Sequence, residues 1–282
     1  MTAQEFVSQI KDLPSLSPVV VKLIGMLNNL DTANDAVVQI VRHDPTLTAR
    51  LLSLCNSAKR AGRRTIASVD EAVFRLGRGE IMKAVIELGV GQTLQRPLDG
   101  YAVEGMMLWR HSLATAMMAE ALAEQAPSPQ PEAASAFTAG LLHDIGKVVL
   151  NQVLTPEVQA DVRQRIQAGD CSWVEAERAV IGVDHAAVGA QLLDHWELPA
   201  SLVEAVAHHH EPDGRAPLKL SATVHVADCL AHMSGCTAGW SSYAQRADES
   251  IAMALGLSAE NVERFLIRVP EQLAVIEQSP HS

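Results

Sequence analysis

The chain has 282 residues, of which 48% are hydrophobic and 20% charged, a composition that argues against global disorder and suits one large domain or two lobes. Its formal net charge of −11 argues against nucleic acid or an anionic membrane as a bulk electrostatic partner. Residues 1–10 show no signal peptide, and no segment approaches the roughly 18 uncharged apolar residues of a membrane helix. None of the four cysteines forms a C-x-x-C pair. We therefore expect a cytoplasmic protein with reduced thiols.

Helical signals recur through the first part of the chain. Leu47, Leu51 and Leu54 fall at i, i+4 and i+7, the spacing of one helix face. Ser68 followed by Glu71 forms a capping box that opens a further helix, predicted to stop at Gly77. Strand signals are almost absent, so the predicted fold class is all-α.

A turn divides the predicted helices into two groups. The sequence between Arg96 and Gly100 combines a proline with Asp-Gly, which is a turn signal. We expect it to separate a helical N-terminal lobe, residues 1–98, from a second helical lobe, residues 99–282. Within the second lobe, three prolines between Pro127 and Pro131 predict a loop. Caps and stop signals predict helices from Thr155 to Gly169, Ser172 to Gly182, Asp184 to Trp196 and Pro199 to about His210.

Histidines and aspartates provide the candidate chemistry. The chain has 11 histidines, and several lie in contexts that favour a chemical role. Imidazoles and carboxylates suit divalent iron, manganese, zinc or nickel, and a set without cysteine favours a catalytic or labile site over structural zinc. An adjacent His-Asp doublet can place a nitrogen and a carboxylate on one metal, and the carboxylate can bridge to a second ion. The candidates are His111, His143, Asp144, His185, the run His208–His210 and Asp228.

Other histidines have ordinary interpretations. A lone histidine is more often a surface residue or a hydrogen-bonded core residue than a ligand, and we expect this for His43, His195, His225 and His232. For the doublet, composition alone leaves both a structural role and a ligand role open.

The order of the candidate residues resembles that of a known superfamily. His111, then His143-Asp144, then Asp228 on a helical chain looks like the HD superfamily of metal-dependent phosphohydrolases. The following Gly146-Lys147, with the later histidines, is similar to its HD-GYP branch. This resemblance implies that Lys147 contacts phosphate, that Asp144 takes part in catalysis, and that the metal ligands are His111, His143, Asp144, His185, His209, His210 and Asp228.

The first lobe resembles a narrower family. Three motifs carry the resemblance, Leu13 to Pro18, His43 to Leu52 continuing into Asn56-Ser57, and Ile66 to Ala72 leading to Leu76-Gly77. They occur in the order found in the HDOD domain, the HD-related output domain of bacterial signalling proteins. The resemblance implies a helical bundle packed on an HD-like lobe. It also implies signal transduction through a signalling protein partner or a phosphorylated small ligand.

Two departures bear on function. The chain reads Arg215-Ala216-Pro217 where HD-GYP domains have Gly-Tyr-Pro, and Met107 stands where some of them place a further glutamate ligand. These departures argue against a trinuclear site and against a hydrolase for cyclic dinucleotides. The HDOD-like first lobe is not needed for phosphohydrolase chemistry, so we expect a signalling output module, with or without bound metal. The alternative is a phosphohydrolase or phosphodiesterase in which metal lowers the pKa of bound water and Lys147 neutralises the phosphoryl oxygens. Lys147 can equally be a solvated lysine at a helix end.

Overall fold

A computed structural model of the chain describes residues 2–29, 31–56, 65–125, 133–168, 171–213, 220–239 and 249–277. These residues are mainly helical and include no strand, only an isolated bridge between Leu98 and Val103. The all-α prediction is therefore confirmed. The predicted loop from Pro127 to Pro131, the predicted helix end at Gly169, Ser57 and the segment Arg215-Ala216-Pro217 lie outside the described residues.

The helices are numbered in chain order. The first half contains α1 (Ala3–Gln9), α2 (Pro18–Asn28), α3 (Asn34–Arg42), α4 (Pro45–Asn56), α5 (Val69–Leu94), a 3-10 turn (Asp99–Tyr101) and α6 (Met107–Gln125). The second half contains α7 (Ala133–Leu142), α8 (Gly146–Leu150), α9 (Pro156–Gln167), α10 (Trp173–Ile181), α11 (His185–His195), α12 (Ala200–Ala207), α13 (Leu220–Met233), α14 (Glu249–Ala254) and α15 (Ala259–Glu277).

Local sequence signals account for several helix starts. At each predicted cap, the side-chain oxygen accepts a hydrogen bond from the backbone N–H three residues later, which satisfies a donor that the helix itself leaves open. This occurs at Ser68, Thr155, Ser172 and Asp184.

Two predicted helix ends differ from the structure. Gly77 has φ 74° and ψ 169°, so the helical geometry breaks there, but α5 resumes at once and continues to Leu94. The helix after Pro199 ends at Ala207 rather than near His210, with His208 as its C-cap. His209 and His210 therefore lie just beyond a helix end.

Small residues allow the helices of the second lobe to approach closely. A Cβ atom on Gly140 of α7 would lie 2.8 Å from the Cα of Ala116 in α6. A Cβ atom on Gly146, at the start of α8, would lie 1.9 Å from the backbone oxygen of His185 in α11. Gly189 meets Gly146 on the same crossing. These contacts bring α6, the α7–α8 turn and α11 together.

The two predicted lobes share contacts. Helix α1 packs against α11, and α5 packs against α7. The Nε2 of Gln152 donates to the backbone oxygen of Asp12, and the indole N–H of Trp196 donates to that of Pro14. Within the residues that the structure describes, no helix is both long and apolar enough to cross a membrane.

Candidate metal centre

The first donor group consists of side chains from α6, the α7–α8 turn and α13. The Nε2 of His111 lies 3.2 Å from the Nε2 of His143 and 3.1 Å from Oδ1 of Asp228. Both imidazole nitrogens are 3.5 Å from Oδ2 of Asp144. The Nε2 of His143 is 3.6 Å from Oδ1 of Asp228. Two donors bound side by side to one ion at about 2.1 Å lie about 3.0–3.4 Å apart, so these spacings suit a shared cation.

The second donor group adds α11 and the segment after α12. Oδ1 of Asp144 lies 3.3 Å from the Nε2 of His185, and that nitrogen is 2.7 Å from the Nε2 of His210. The ligand atoms of these three residues and of His209 all lie within 4.8 Å of one another. Asp144 therefore directs one carboxylate oxygen to each group, which is the arrangement of a bridging ligand.

Backbone carbonyls orient several of the imidazoles. The Nδ1 of His111 lies 2.8 Å from the oxygen of Cys236, and the Nδ1 of His143 lies 2.7 Å from that of Gly140. The Nδ1 of His209 is 2.7 Å from the oxygen of Val206. When Nδ1 donates its proton to a carbonyl, Nε2 keeps its lone pair, and this is the usual arrangement around metal-binding histidines.

A buried carboxylate orients His185. Glu177 of α10 is fully buried, and its Oε2 accepts hydrogen bonds from the Nδ1 and the backbone N–H of His185, at 2.7 and 2.9 Å. Its Oε1 accepts from the hydroxyl of Tyr101 at 2.7 Å and from the indole of Trp173 at 2.8 Å. The carboxylate is thus fully hydrogen-bonded and fixes the ring of His185. Glu177 was not among the residues predicted from the sequence.

The electrostatics of the cluster favour anionic carboxylates and a neutral His209. Burial opposes ionisation of Asp144, but Lys147 and the surrounding imidazoles outweigh it and hold the pKa of that carboxyl well below its usual range. Burial likewise opposes ionisation of Asp228, but His232 and His143 lower its pKa. Burial, together with the neighbouring His143 and His185, lowers the pKa of His209 to about 3. Burial opposes protonation of His143, but Asp144 and Asp228 outweigh it and raise the pKa of that imidazole. Metal ligation requires anionic carboxylates and neutral imidazoles, so metal binding competes with protonation of His143.

One atom tests directly whether the cluster suits a metal. The Nε2 of His209 is buried and has no hydrogen-bond partner among the described residues. A buried nitrogen without a partner is costly, and a cation within the second donor group would satisfy it. The donors are imidazoles and carboxylates, which suit divalent first-row metals. The residues present therefore fit a divalent cation.

Lys147 lies inside this cluster. Its Nζ is 2.6 Å from Oδ2 of Asp144, and the residue is 2% exposed. The alternative of a solvated lysine at a helix end is therefore wrong.

The structure separates the remaining histidines into three kinds. His43 and His195 are exposed, as expected. His225 is a buried core residue whose Nδ1 lies 2.8 Å from the oxygen of His209, again as expected. His232 differs from the expectation, because its Nε2 lies 3.3 Å from Oδ1 of Asp228 and its ring stacks on that of His111. Its i+4 spacing from Asp228 on one helix was the sequence signal for this contact.

Comparisons with known proteins agree with this architecture. The family model described as "HDOD domain" matches residues 13–212. The solved structure of an HDOD domain protein with unknown function from Geobacter sulfurreducens is 26% identical, has a TM-score of 0.67, and covers 97% of this chain and 94% of that one. A candidate signal transduction protein from Marinobacter aquaeolei VT8 is 26% identical, with a TM-score of 0.70, covering 97% of this chain and 63% of that one.

Two further relatives complete the comparison. The structure of a candidate phosphohydrolase from Shewanella amazonensis SB2B is 25% identical, with a TM-score of 0.65, covering 96% of this chain and 93% of that one. An uncharacterized protein of Treponema pallidum (strain Nichols) is 27% identical over 208 residues, which is 74% of this chain but only 39% of that protein. The chain thus spans well under half of this curated relative.

Proposed function

Because the chain belongs to the HDOD domain family, we propose that it is a signal-transduction output module whose second lobe holds divalent cations. In this proposal, residues 1–98 and 99–282 form the two lobes of the module. It acts by binding a signalling protein partner or a phosphorylated small ligand. The cations are iron, manganese, zinc or nickel, and their ligands are His111, His143, Asp144, His185, His209, His210 and Asp228.

Burial of the donor groups is the observation that carries the proposal. A hydrolase must bring a phosphoester and a water molecule to its metal, so a catalytic site keeps an open coordination position. Here the ligand side chains face one another inside the helical bundle. Lys147, the candidate phosphate contact, points to Asp144 instead of to solvent. The ligand residues that are at most 1% exposed are His111, His143, Asp144, His185, His209 and Asp228.

The same burial suggests what the cations do. The donors come from α6, the α7–α8 turn, α11, the segment after α12, and α13. Bound cations would offset the charge of Asp144 and Asp228 and link these separated segments. A ligand that binds only the folded state stabilises that state. The cations would therefore hold the second lobe in one arrangement, which a partner can recognise.

A metal-dependent phosphohydrolase is the second candidate. The observation in its favour is that the two oxygens of Asp144 face two separate donor groups, the shared-carboxylate pattern of two-metal hydrolases. This function requires the helices around the site to part, so that a phosphoester can enter. Lys147 would then leave Asp144 and neutralise the phosphoryl oxygens.

Turnover distinguishes the two candidates. The test is hydrolysis by protein loaded with each of the four metals, followed as phosphate release from nucleotides and, by chromatography, as ring opening of cyclic dinucleotides. Elemental analysis of the same samples measures bound metal. We expect bound metal in the wild type and no hydrolysis above that of Asp144→Ala. The enzyme would be established instead by wild-type hydrolysis that Asp144→Ala and Lys147→Met abolish and that His208→Ala, at an exposed neighbouring histidine, retains.

A further inference from the structure

His232 lies against the first donor group, although it was not predicted from the sequence to be a ligand. It is on α13, four residues after Asp228, and its side chain is 8% exposed. Its Nε2 lies 3.3 Å from Oδ1 of Asp228. Its ring stacks on that of His111, with centroids 4.5 Å apart and planes 27° from parallel. The ligand atoms of these three residues all lie within 4.8 Å of one another.

An ordinary hydrogen bond explains this placement poorly. N–H···O bonds cluster at about 2.9–3.0 Å, so 3.3 Å between His232 and Asp228 is long. It falls within the 3.1–3.6 Å range that separates the donors of the first group from one another. His232 also lacks the carbonyl partner that anchors His111 and His143, since its buried Nδ1 has no hydrogen-bond partner in the part of the chain that the structure describes.

We propose that His232 is a further ligand of the cation that His111 and Asp228 bind, an inference that rests on the cation centre proposed above. The first group then offers five protein donors, from His111, His143, Asp144, Asp228 and His232. The second group offers four, one of them shared through Asp144.

The added ligand gives the two cation positions different properties. With His232, the first position has five protein donors and the second has four. The additional donor should make the first cation the more tightly bound of the two. We therefore expect two binding events of unequal affinity.

The test uses Co²⁺, whose visible absorption reports the number and type of its ligands. Metal-free protein is titrated with Co²⁺ while absorption and heat are measured, for the wild type, His232→Ala, His232→Gln and the control His208→Gln. We expect His232→Ala and His232→Gln to lower the Co²⁺ affinity of the tighter event by about 100-fold or more. This loss is larger than the about 10- to 100-fold loss that is typical when a hydrogen-bond partner of a metal ligand is removed. The affinity of the weaker event should stay unchanged in both variants, and the control His208→Gln should bind Co²⁺ as the wild type does.

The glutamine variant separates ligation from positioning. Glutamine keeps an N–H that can donate to Asp228, so wild-type affinity in His232→Gln would show that the histidine only orients this carboxylate, and would overturn the proposal. X-ray absorption of the wild type with one equivalent of Co²⁺ does not depend on how the variants fold. Three imidazoles on this ion support the proposal, and two overturn it. A wild type that binds no Co²⁺ would instead overturn the cation centre itself.

Discussion

Lys147 and Asp144 form a buried ion pair, with Nζ of the lysine 2.6 Å from Oδ2 of the aspartate and side chains 3% and 2% exposed. The same oxygen lies 3.5 Å from the Nε2 atoms of His111 and His143. The ammonium group therefore balances the charge of a carboxylate that is buried inside the helical bundle. A cation in the first donor group supplies the same balance.

Removing Lys147 should make the protein depend more strongly on metal. Removing one partner of a buried ion pair costs about 3–5 kcal/mol. Lys147→Met should therefore lower the unfolding free energy by about that amount when a chelator keeps the protein free of metal. Saturating metal should recover much of the loss. Urea unfolding with and without chelator measures both effects, and Lys22→Met at an exposed lysine is the control. An equal loss in both conditions would argue against a cation near Asp144.

Chelation should destabilise the wild type through Asp144. Metal at a hundredfold excess over its dissociation constant contributes about 2.7 kcal/mol, which chelator removes. We expect chelator to lower the melting temperature of the wild type and of Asp194→Ala, which alters an exposed aspartate. Asp144→Ala should lose this sensitivity, because it removes the carboxylate shared by both groups. If chelator shifts the melting of Asp144→Ala as much as that of the wild type, Asp144 is not a ligand.

Glu177→Gln should weaken metal binding at the second position. Oε2 of the carboxylate accepts both hydrogen bonds from His185, and Oε1 accepts those from Tyr101 and Trp173. Glutamine has one acceptor oxygen, so in either amide orientation its NH2 group would face an N–H donor, of His185 or of Trp173. Loss of such an outer-shell partner typically costs about 10- to 100-fold in metal affinity. Calorimetric titration with Zn²⁺ should show this loss in the weaker event. The control is Glu175→Gln, at an exposed residue of the same helix, because glutamine can keep the hydrogen bond of the capping box. This variant should bind Zn²⁺ as the wild type does.

Gly146→Ala should disrupt the crossing that brings Asp144 to His185. A Cβ atom there would lie 1.9 Å from the backbone oxygen of His185, so backbone rather than a flexible side chain must move. Overpacking of this kind costs about 1–3 kcal/mol or more, and the shift should also weaken metal binding. Gly25→Ala in α2 is the matched control, because nothing lies within 4 Å of its added Cβ. If urea unfolding shows the same loss of unfolding free energy for Gly146→Ala and Gly25→Ala, this account of the crossing is wrong.

The metal-free protein should lose stability as the pH falls through the histidine range. Burial first, with neighbouring imidazoles, lowers the pKa of His209 from 6.5 to about 3. Between these values the unfolded state binds more protons than the folded state, so protonation favours unfolding as the pH falls below about 6.5. Each such group contributes a slope of up to about 1.4 kcal/mol per pH unit.

His209 shares this pH dependence with His210 and His232, because burial also lowers their pKa values, to about 4 for His232. His143 acts in the opposite direction, because Asp144 and Asp228 raise its pKa despite burial. Asp144 and Asp228 have lowered pKa values, so they change the pH dependence of stability only below about pH 4, the usual pKa range of a carboxyl group. Urea unfolding of chelated protein between about pH 4.5 and 7 isolates the histidine contribution. The slope should be shallower for His209→Gln and unchanged for His208→Gln. The same slope in both variants and the wild type would place the protonating groups elsewhere.

The sequence by itself determined the all-α class, several helix starts and the main candidate donors. Caps such as Ser172 and Asp184 act over three residues, so they can be read locally. The His143-Asp144 doublet likewise carries its chemistry in two adjacent side chains. Which oxygen of Asp144 faces which group is not local information.

Only the tertiary structure decided how the donors meet. Contacts at Gly140 and Gly146 set the distances between helices far apart in sequence, and those distances turn separate histidines into two groups. The same packing buries Lys147 against Asp144 and places Glu177 behind His185. A buried ion pair, or a hydrogen bond to the rear of a candidate ligand, depends on spacing in three dimensions, which residue order along the chain does not specify.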